Sequence, residues 1–345
     1  MKYIFVLSAL AFQILLSSSL CAGDVIKYNG VPVKGRAQIY AHMAGRGLMP
    51  EQTMPAYRHA LRLGVDYVDM DIAMTKDGVI VITHDLILNQ NLTRDPDGNW
   101  ITDRILVKDL TLKELQKYDV GRLKPGTKYA SYFPHQIPVD LTPIPTLKEA
   151  VSFVKSVAGD SVGFQIEMKT DPSQPELAPV PKEFAEALYK LMKEEEIIDR
   201  TEVQAFDWRC LIELKKIDGN VKTAFLSDHT TISLDDSEKG TWTAGCLPRD
   251  FGYSLPRMVK SLGGDCWEPF EKNLTEEALI QARGLGLKVV VWGWPEEEGT
   301  EFDYEQVNKM IEWGVDGIIS DRPDILRGLM AARGFDLPKG FSLND

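Results

Sequence analysis

Cysteine is scarce in this chain, with four in 345 residues, and one of them, Cys21, falls within the first 22. The other three, Cys210, Cys246 and Cys266, form an odd set without C-x-x-C spacing, which excludes a redox dithiol, a zinc knuckle and a dense disulfide framework. One pairing, Cys246 with Cys266, stays open. Positive charge is also short: 39 Lys and Arg stand against 51 Asp and Glu, for a formal charge of -12. That balance argues against nucleic acid or an anionic membrane surface as a partner, and it requires any phosphate site to be locally basic. Long apolar runs are missing after residue 16, so nothing supplies the roughly 20 residues of a stable membrane insertion. Internal repeats and low-complexity stretches are missing too.

The one greasy run lies at the start. Met1 and Lys2 precede IFVLSALAFQILL (4–16) and then SSSLCAG, the charged, apolar, small-residue order of a signal peptide. We expect cleavage near Ala22, a signal peptide over 1–22 and an exported chain, periplasmic or extracellular. Residues 23–345 then form a single body, and 44% hydrophobic residues suffice for a large core.

From residue 36 onward, strand-like and helix-like stretches alternate, which predicts βα units around a parallel sheet. The strand candidates are 38–42, 66–72, 79–84, 162–168, 201–206, 221–226, 264–268, 287–293 and 315–319. Eight such units close a (β/α)8, or TIM, barrel. The ninth run is best placed as an antiparallel arm, 79–84 folding back on 66–72 across Lys76-Asp77-Gly78. Thr146 with Glu149 marks a capping box at one helix start, and Thr111 with Glu114 opens a short helix. Residues 86–145 break the rhythm at far more than the usual loop length and predict an inserted, loop-rich subdomain beside the mouth; 227–256 is a second irregular region.

Chemistry gathers at the strand ends. His42, Asp69, Asp71 and His84 stand at or just past three successive strand candidates. Imidazole is poised for proton transfer near neutral pH, and clustered carboxylates either hold a hard cation or repel one another. Because loops at the carboxyl ends of barrel strands build the active site, the same face should also carry the 46–53 loop, Glu167, Lys169, Trp267, Glu268, Trp292 and Trp294. Trp292 and Trp294 alternate at a strand end, where one or both wall a glycerol or alcohol group or else fill the core. Gly159-Asp160-Ser161-Val162-Gly163 has the letters of a serine-hydrolase elbow but follows a helix and precedes a strand, the reverse of what that motif needs.

The segment AHMAGRGLMPEQTMPAYRHALRLGVDYVDMDIAMTKDGVIVITHD (41–85) resembles the signature of the glycerophosphodiester phosphodiesterase family. QIEMK (165–169) is similar to its Glu-x-Lys strand and GVDGIISDRPD (314–324) to its closing strand. NLTRDPDGNW and YDVGRLKPGT, inside the insertion, resemble an exported bacterial branch. The resemblance implies hydrolysis of a small-molecule glycerophosphodiester to sn-glycerol 3-phosphate and an alcohol. It also implies one divalent cation, Ca2+ or Mg2+, on Asp69, Asp71 and Glu167, with His42 and His84 as the acid/base pair and Lys169 near the phosphate. The chemistry agrees: a partly neutralised cation polarises a phosphoryl oxygen, while one imidazole takes a proton and the other gives one.

Two positions depart from the family pattern. Met43 stands where an arginine usually contacts phosphate, so Arg46 and Lys169 become the nearest cationic substitutes. Asp69 stands where glutamate is usual, one methylene shorter. These departures keep two alternatives in play, a phospholipase D-like lipid hydrolase on the same barrel and a phosphate- or metal-binding relative that no longer turns over. Oligomeric state is not encoded in any motif found.

Overall fold

The structure is a computed structural model that describes residues 27–28, 31–32, 35–232, 239–293 and 302–343. The expected signal peptide and Trp294 lie outside the described residues. Strands β1 (Lys27–Tyr28) and β2 (Val31–Pro32) pair as a short antiparallel ribbon.

The barrel strands are β3 (Gln38–Ala41), β4 (Tyr67–Met74), β6 (Gly163–Met168), β7 (Thr201–Ala205), β8 (Lys222–Ser227), β9 (Cys266–Pro269), β10 (Lys288–Trp292) and β11 (Gly317–Ser320). All neighbours are parallel, and β3 pairs with both β4 and β11, so the eight strands close on themselves. The extra arm is β5 (Ile80–Ile82), antiparallel to β4 with Ile72 opposite Ile82. Its tight turn places Gly78 at φ 77°, a left-handed conformation that favours glycine.

Period-two alternation sorts each strand into two faces. Val68, Met70 and Ile72 of β4, Phe164 and Ile166 of β6, and Val289 and Val291 of β10 pack outward into one continuous core under the helices. Those helices are α1 (Met54–Leu63), α4 (Leu147–Ala158), α5 (Pro181–Glu194), α6 (Trp208–Ile217), α7 (Leu255–Ser261), α8 (Glu276–Gly284), α9 (Tyr304–Trp313) and α10 (Pro323–Ala332); α2 (Leu112–Leu115) and α3 (Lys128–Tyr132) lie between β5 and α4. In α1 the Thr53 hydroxyl accepts the Ala56 N–H, and Ala56, Tyr57, Ala60 and Leu61 form the buried face. Full burial of each large apolar side chain contributes about 1.5–3 kcal/mol, so this face does more to hold the helix than its propensity does. The predicted capping box forms at Thr146, and the helix opened by Thr111 carries a second one. Between β5 and α4, Leu88, Leu92, Ile101, Val107, Leu115, Val120 and Ile144 pack a second apolar cluster with Ala73 and Val81.

The inward face is layered and polar. At the bottom, the Tyr40 and Tyr67 rings stack with centroids 4.4 Å apart, and Lys288 Nζ donates to Glu202 Oε1 at 2.7 Å. Glycine is required beside them: a Cβ on Gly163 would lie 2.3 Å from the Tyr67 ring, and one on Gly317 would lie 2.5 Å from the Tyr40 ring. One layer up, Gln165 Nε2 donates to Glu268 Oε1 at 2.5 Å and Gln204 Nε2 to Asp69 Oδ1 at 2.7 Å. This layer is the floor of the mouth.

The Cys246–Cys266 pairing left open by the sequence does not form; Cys210, Cys246 and Cys266 are all free thiols. Cys266 faces the barrel interior beside Tyr40 and Val290, whereas Cys246 packs against the outer core, so the sheet separates them.

Candidate active site

His42 follows β3 immediately, and its Nδ1 lies 2.6 Å from Oδ1 of Asp321, the residue just past β11. Arg46 Nε donates to the same oxygen at 2.7 Å. Burial works against the Asp321 charge, but Arg46 and His42 together hold its carboxyl below the ordinary range. An ionised carboxylate can only accept, so the His42 proton sits on Nδ1 and Nε2 is left for chemistry. His84, beyond β5, repeats the arrangement: its Nδ1 lies 2.9 Å from Asp85 Oδ1, while Asn89 Nδ2 donates to Asp85 Oδ2 at 2.8 Å. Burial and Lys169 pull the His84 value down, yet Asp85 and Asp71 overcome them and the imidazole ends above its usual value.

Asp69 and Asp71 face inward on β4, in register with Gln165 and Glu167 of β6. Burial, opposed by Lys169 and reinforced by Asp71, pushes the Glu167 carboxyl up to about 7. Burial also disfavours the Asp71 charge, but Lys169, His84 and a hydrogen bond from Glu167 bring it below the ordinary carboxylate value. Lys169 Nζ donates to Glu167 Oε1 at 2.7 Å, and Gln52 Nε2 to Asp71 Oδ2 at 2.6 Å. Two buried carboxylates thus stand side by side in an oxygen-rich cleft, a donor set that suits a hard divalent cation.

Asp69 is held by two hydrogen bonds. Its Oδ2 accepts the Met43 N–H at 2.9 Å and its Oδ1 accepts Gln204, and burial with the Asp71 charge pushes its carboxyl well above the usual range. Among the described residues no three His, Cys, Asp or Glu side chains are gathered closely enough to hold a metal as they stand. Asp69, Asp71 and Glu167 stand on the inner faces of two adjacent strands, with Asp69 turned onto the Met43 amide and Gln204. The shorter side chain at 69 is consistent with this, and the loop after β3 completes it, because Met43 and Ala44 adopt φ of 46° and 62° and turn the Met43 amide onto Asp69. Left-handed backbone at such residues costs about 1–3 kcal/mol each and clusters at functional sites.

Arg46 is almost wholly buried, and its guanidinium stacks 4.7 Å above the Phe133 ring from the inserted region. Its Nη1 reaches Met43 Sδ at 3.7 Å and the Tyr129 hydroxyl at 3.4 Å. Tyr129 in turn donates to Glu51 Oε2 at 2.5 Å, and burial, opposed by Arg46 and this hydrogen bond, raises the Glu51 carboxyl to about 7. The position the missing arginine would fill holds methionine sulfur, with Arg46 packed against it.

His42, Met43, Arg46, His84, Glu167, Phe206 and Trp292 line one pocket at the carboxyl end of the barrel. Trp292 is buried there, edge-on to Phe206 with centroids 5.4 Å apart, and its Nε1 donates to Glu268 O at 3.1 Å. Lys169 lines the adjoining cleft. Trp267 departs from expectation: it faces the outer core and donates to Ser227 Oγ at 2.9 Å, because the inward parity of β9 belongs to Cys266 and Glu268. Glu268 sits fully buried in the barrel floor, below the mouth. Sequence reasoning missed Asp321, Asp85 and Gln204 as site residues and brought Glu51 and Gln52 to the mouth only as part of the 46–53 loop. Asp321 and Asp85 had a usable signal, since each follows a strand candidate at its carboxyl end; Gln204 had none beyond a polar residue inside a strand.

Comparison with known proteins matches residues 42–325 to the glycerophosphoryl diester phosphodiesterase family. The chain is 29% identical to a glycerophosphodiester phosphodiesterase of Caldanaerobacter subterraneus subsp. tengcongensis, over 86% of this chain and 98% of that one. It is 23% identical to one of Bacillus subtilis, over 94% of each. A solved structure from Silicibacter pomeroyi, named for the same activity, superposes with a TM-score of 0.76 at 29% identity, covering 88% of this chain and 96% of that one. An Oleispira antarctica phosphodiesterase solved with the product sn-glycerol-3-phosphate shares the fold, with a TM-score of 0.61 at 18% identity over 86% of this chain and 97% of that one. The chain belongs to the glycerophosphoryl diester phosphodiesterase family.

Proposed function

We propose that this chain hydrolyses glycerophosphodiesters to sn-glycerol 3-phosphate and an alcohol, with His42 and His84 dividing the proton transfers. The carrying observation is that both imidazoles line one pocket and each sets its Nδ1 on an aspartate, at 2.6 and 2.9 Å. His42 takes the proton from the attacking hydroxyl, either of water, which gives sn-glycerol 3-phosphate directly, or of the neighbouring glycerol carbon, which gives a cyclic phosphate that a water then opens. The new P–O bond forms as the old one breaks, and His84, held above its usual value, protonates the leaving oxygen. Arg46 and Lys169 answer the diester's negative charge, and Trp292 walls the glycerol side. The relatives' activity and the product held by the Oleispira antarctica enzyme support the same reaction.

A divalent cation, Ca2+ or Mg2+, would be held by Asp69, Asp71 and Glu167. The chemistry supplied there is neutralisation of charge and polarisation of a phosphoryl oxygen. Residues 1–22 support an exported enzyme, which a mature N-terminus near Gly23 would bear out.

Release of sn-glycerol 3-phosphate from glycerophosphocholine, followed with and without a chelator, tests the reading. It expects release that stops on chelation. No release with any divalent ion would leave a binding protein, and preference for an acylated diester would favour the phospholipase D-like alternative.

A further inference from the structure

A cleft of about 430 Å³ opens from the reacting pocket and shares His84, Glu167 and Phe206 with it. Since His84 protonates the leaving oxygen in the proposed reaction, the departing alcohol occupies this side. The cleft's charges do not balance. Lys169 is answered by Glu167 at 2.7 Å, and His84 by Asp85 at 2.9 Å. Asp171 and Asp228 also face the cleft, and among the described residues their partners are neutral: Asp171 accepts from Ser173 and Gln174, and Asp228 from Thr230 and Thr231. Apart from Thr170, the remaining walls are apolar or aromatic, with Ile87, Leu177, Phe206 and Trp242.

Two carboxylates with no cationic partner among the described residues, set against aromatic and aliphatic walls, disfavour an anionic or wholly polar group. They favour a cation that carries methyl or methylene surface, because the carboxylates meet its charge and the rings its apolar skin. We propose that this cleft is a head-group subsite selecting glycerophosphodiesters of cationic amino-alcohols, choline or ethanolamine, over those of uncharged polyols. The inference rests on the hydrolase reading and adds to it the identity of the leaving group.

Steady-state hydrolysis of glycerophosphocholine and glycerophosphoglycerol by the full chain tests it, alongside Asp171→Asn and Trp242→Leu. The expected wild-type ratio of kcat/KM is about tenfold or more in favour of the choline diester, expressed mainly in KM, and each substitution lowers that ratio several-fold. Calorimetry with tetramethylammonium should show binding that Asp171→Asn weakens. Hydrolysis of both diesters at equal efficiency, or ratios untouched by the two substitutions, overturns the subsite and leaves the hydrolase reading intact. Tetramethylammonium binding without hydrolysis of any diester supports the subsite and overturns the hydrolase reading; absence of both overturns the two together.

Discussion

His42 Nδ1 and Asp321 Oδ1 lie 2.6 Å apart although 279 residues separate them in the chain, joined across the seam where β11 meets β3. The same carboxylate carries Arg46, so one buried aspartate orients the proposed base and the nearest phosphate-binding cation. Asp321→Asn should lower kcat by about a hundredfold or more, because the neutral amide no longer selects the His42 tautomer. KM should rise as well, since Arg46 loses its anchor. A kinetic split in which KM alone changes would show that Asp321 serves only Arg46.

The second imidazole predicts a pH signature. Burial and Lys169 lower the His84 value, but Asp85 and Asp71 raise it further, so the proposed acid stays protonated to a higher pH than a free histidine. The alkaline limb of kcat/KM should therefore lie above the ordinary histidine value and move to lower pH in Asp85→Asn. An alkaline limb that does not move assigns the proton to another group.

Arg46 tests how the chain manages with methionine at position 43. Arg46→Lys keeps the charge but loses the planar fork and the stack on Phe133. KM should rise about tenfold to a hundredfold, corresponding to ~1.5–3 kcal/mol of a charge-assisted contact. Unchanged KM would mean that Lys169 alone holds the phosphate.

Glu51 links the site to stability. Its carboxyl is raised from 4.5 to about 7, so between those values the folded chain binds the extra proton and stability falls as pH rises. The cost is absent below the lower value and complete above the upper one, on the order of 3 kcal/mol. Glu51→Gln keeps an acceptor for Tyr129 and should raise the denaturation midpoint at pH 8 while changing it little at pH 4.5. Equal shifts at both values would remove the titration from the account.

Most of the barrel was legible because each strand candidate is a short β-branched run closed by polar residues. The strand-end rule then brought His42, Asp71, His84 and Glu167 to one mouth. It failed where parity mattered. Trp267 and Glu268 are adjacent on β9, yet one faces the helices and the other the barrel floor, a choice set by strand register and not by residue type. The partners of Asp69 were not legible either, because the Met43 amide reaches it through a left-handed turn invisible in the residue pattern and Gln204 is only a polar residue inside a strand. Arg46 was recognised as a substitute cation, but its stack on Phe133 required knowing where the inserted region folds back.

The most direct test is phosphorus NMR of glycerophosphocholine incubated with the wild-type chain, His42→Asn and His84→Asn. The account predicts conversion to sn-glycerol 3-phosphate by the wild type and loss of at least about a hundredfold in rate in each variant. Formation of phosphocholine instead, or wild-type rates in either variant, would contradict it.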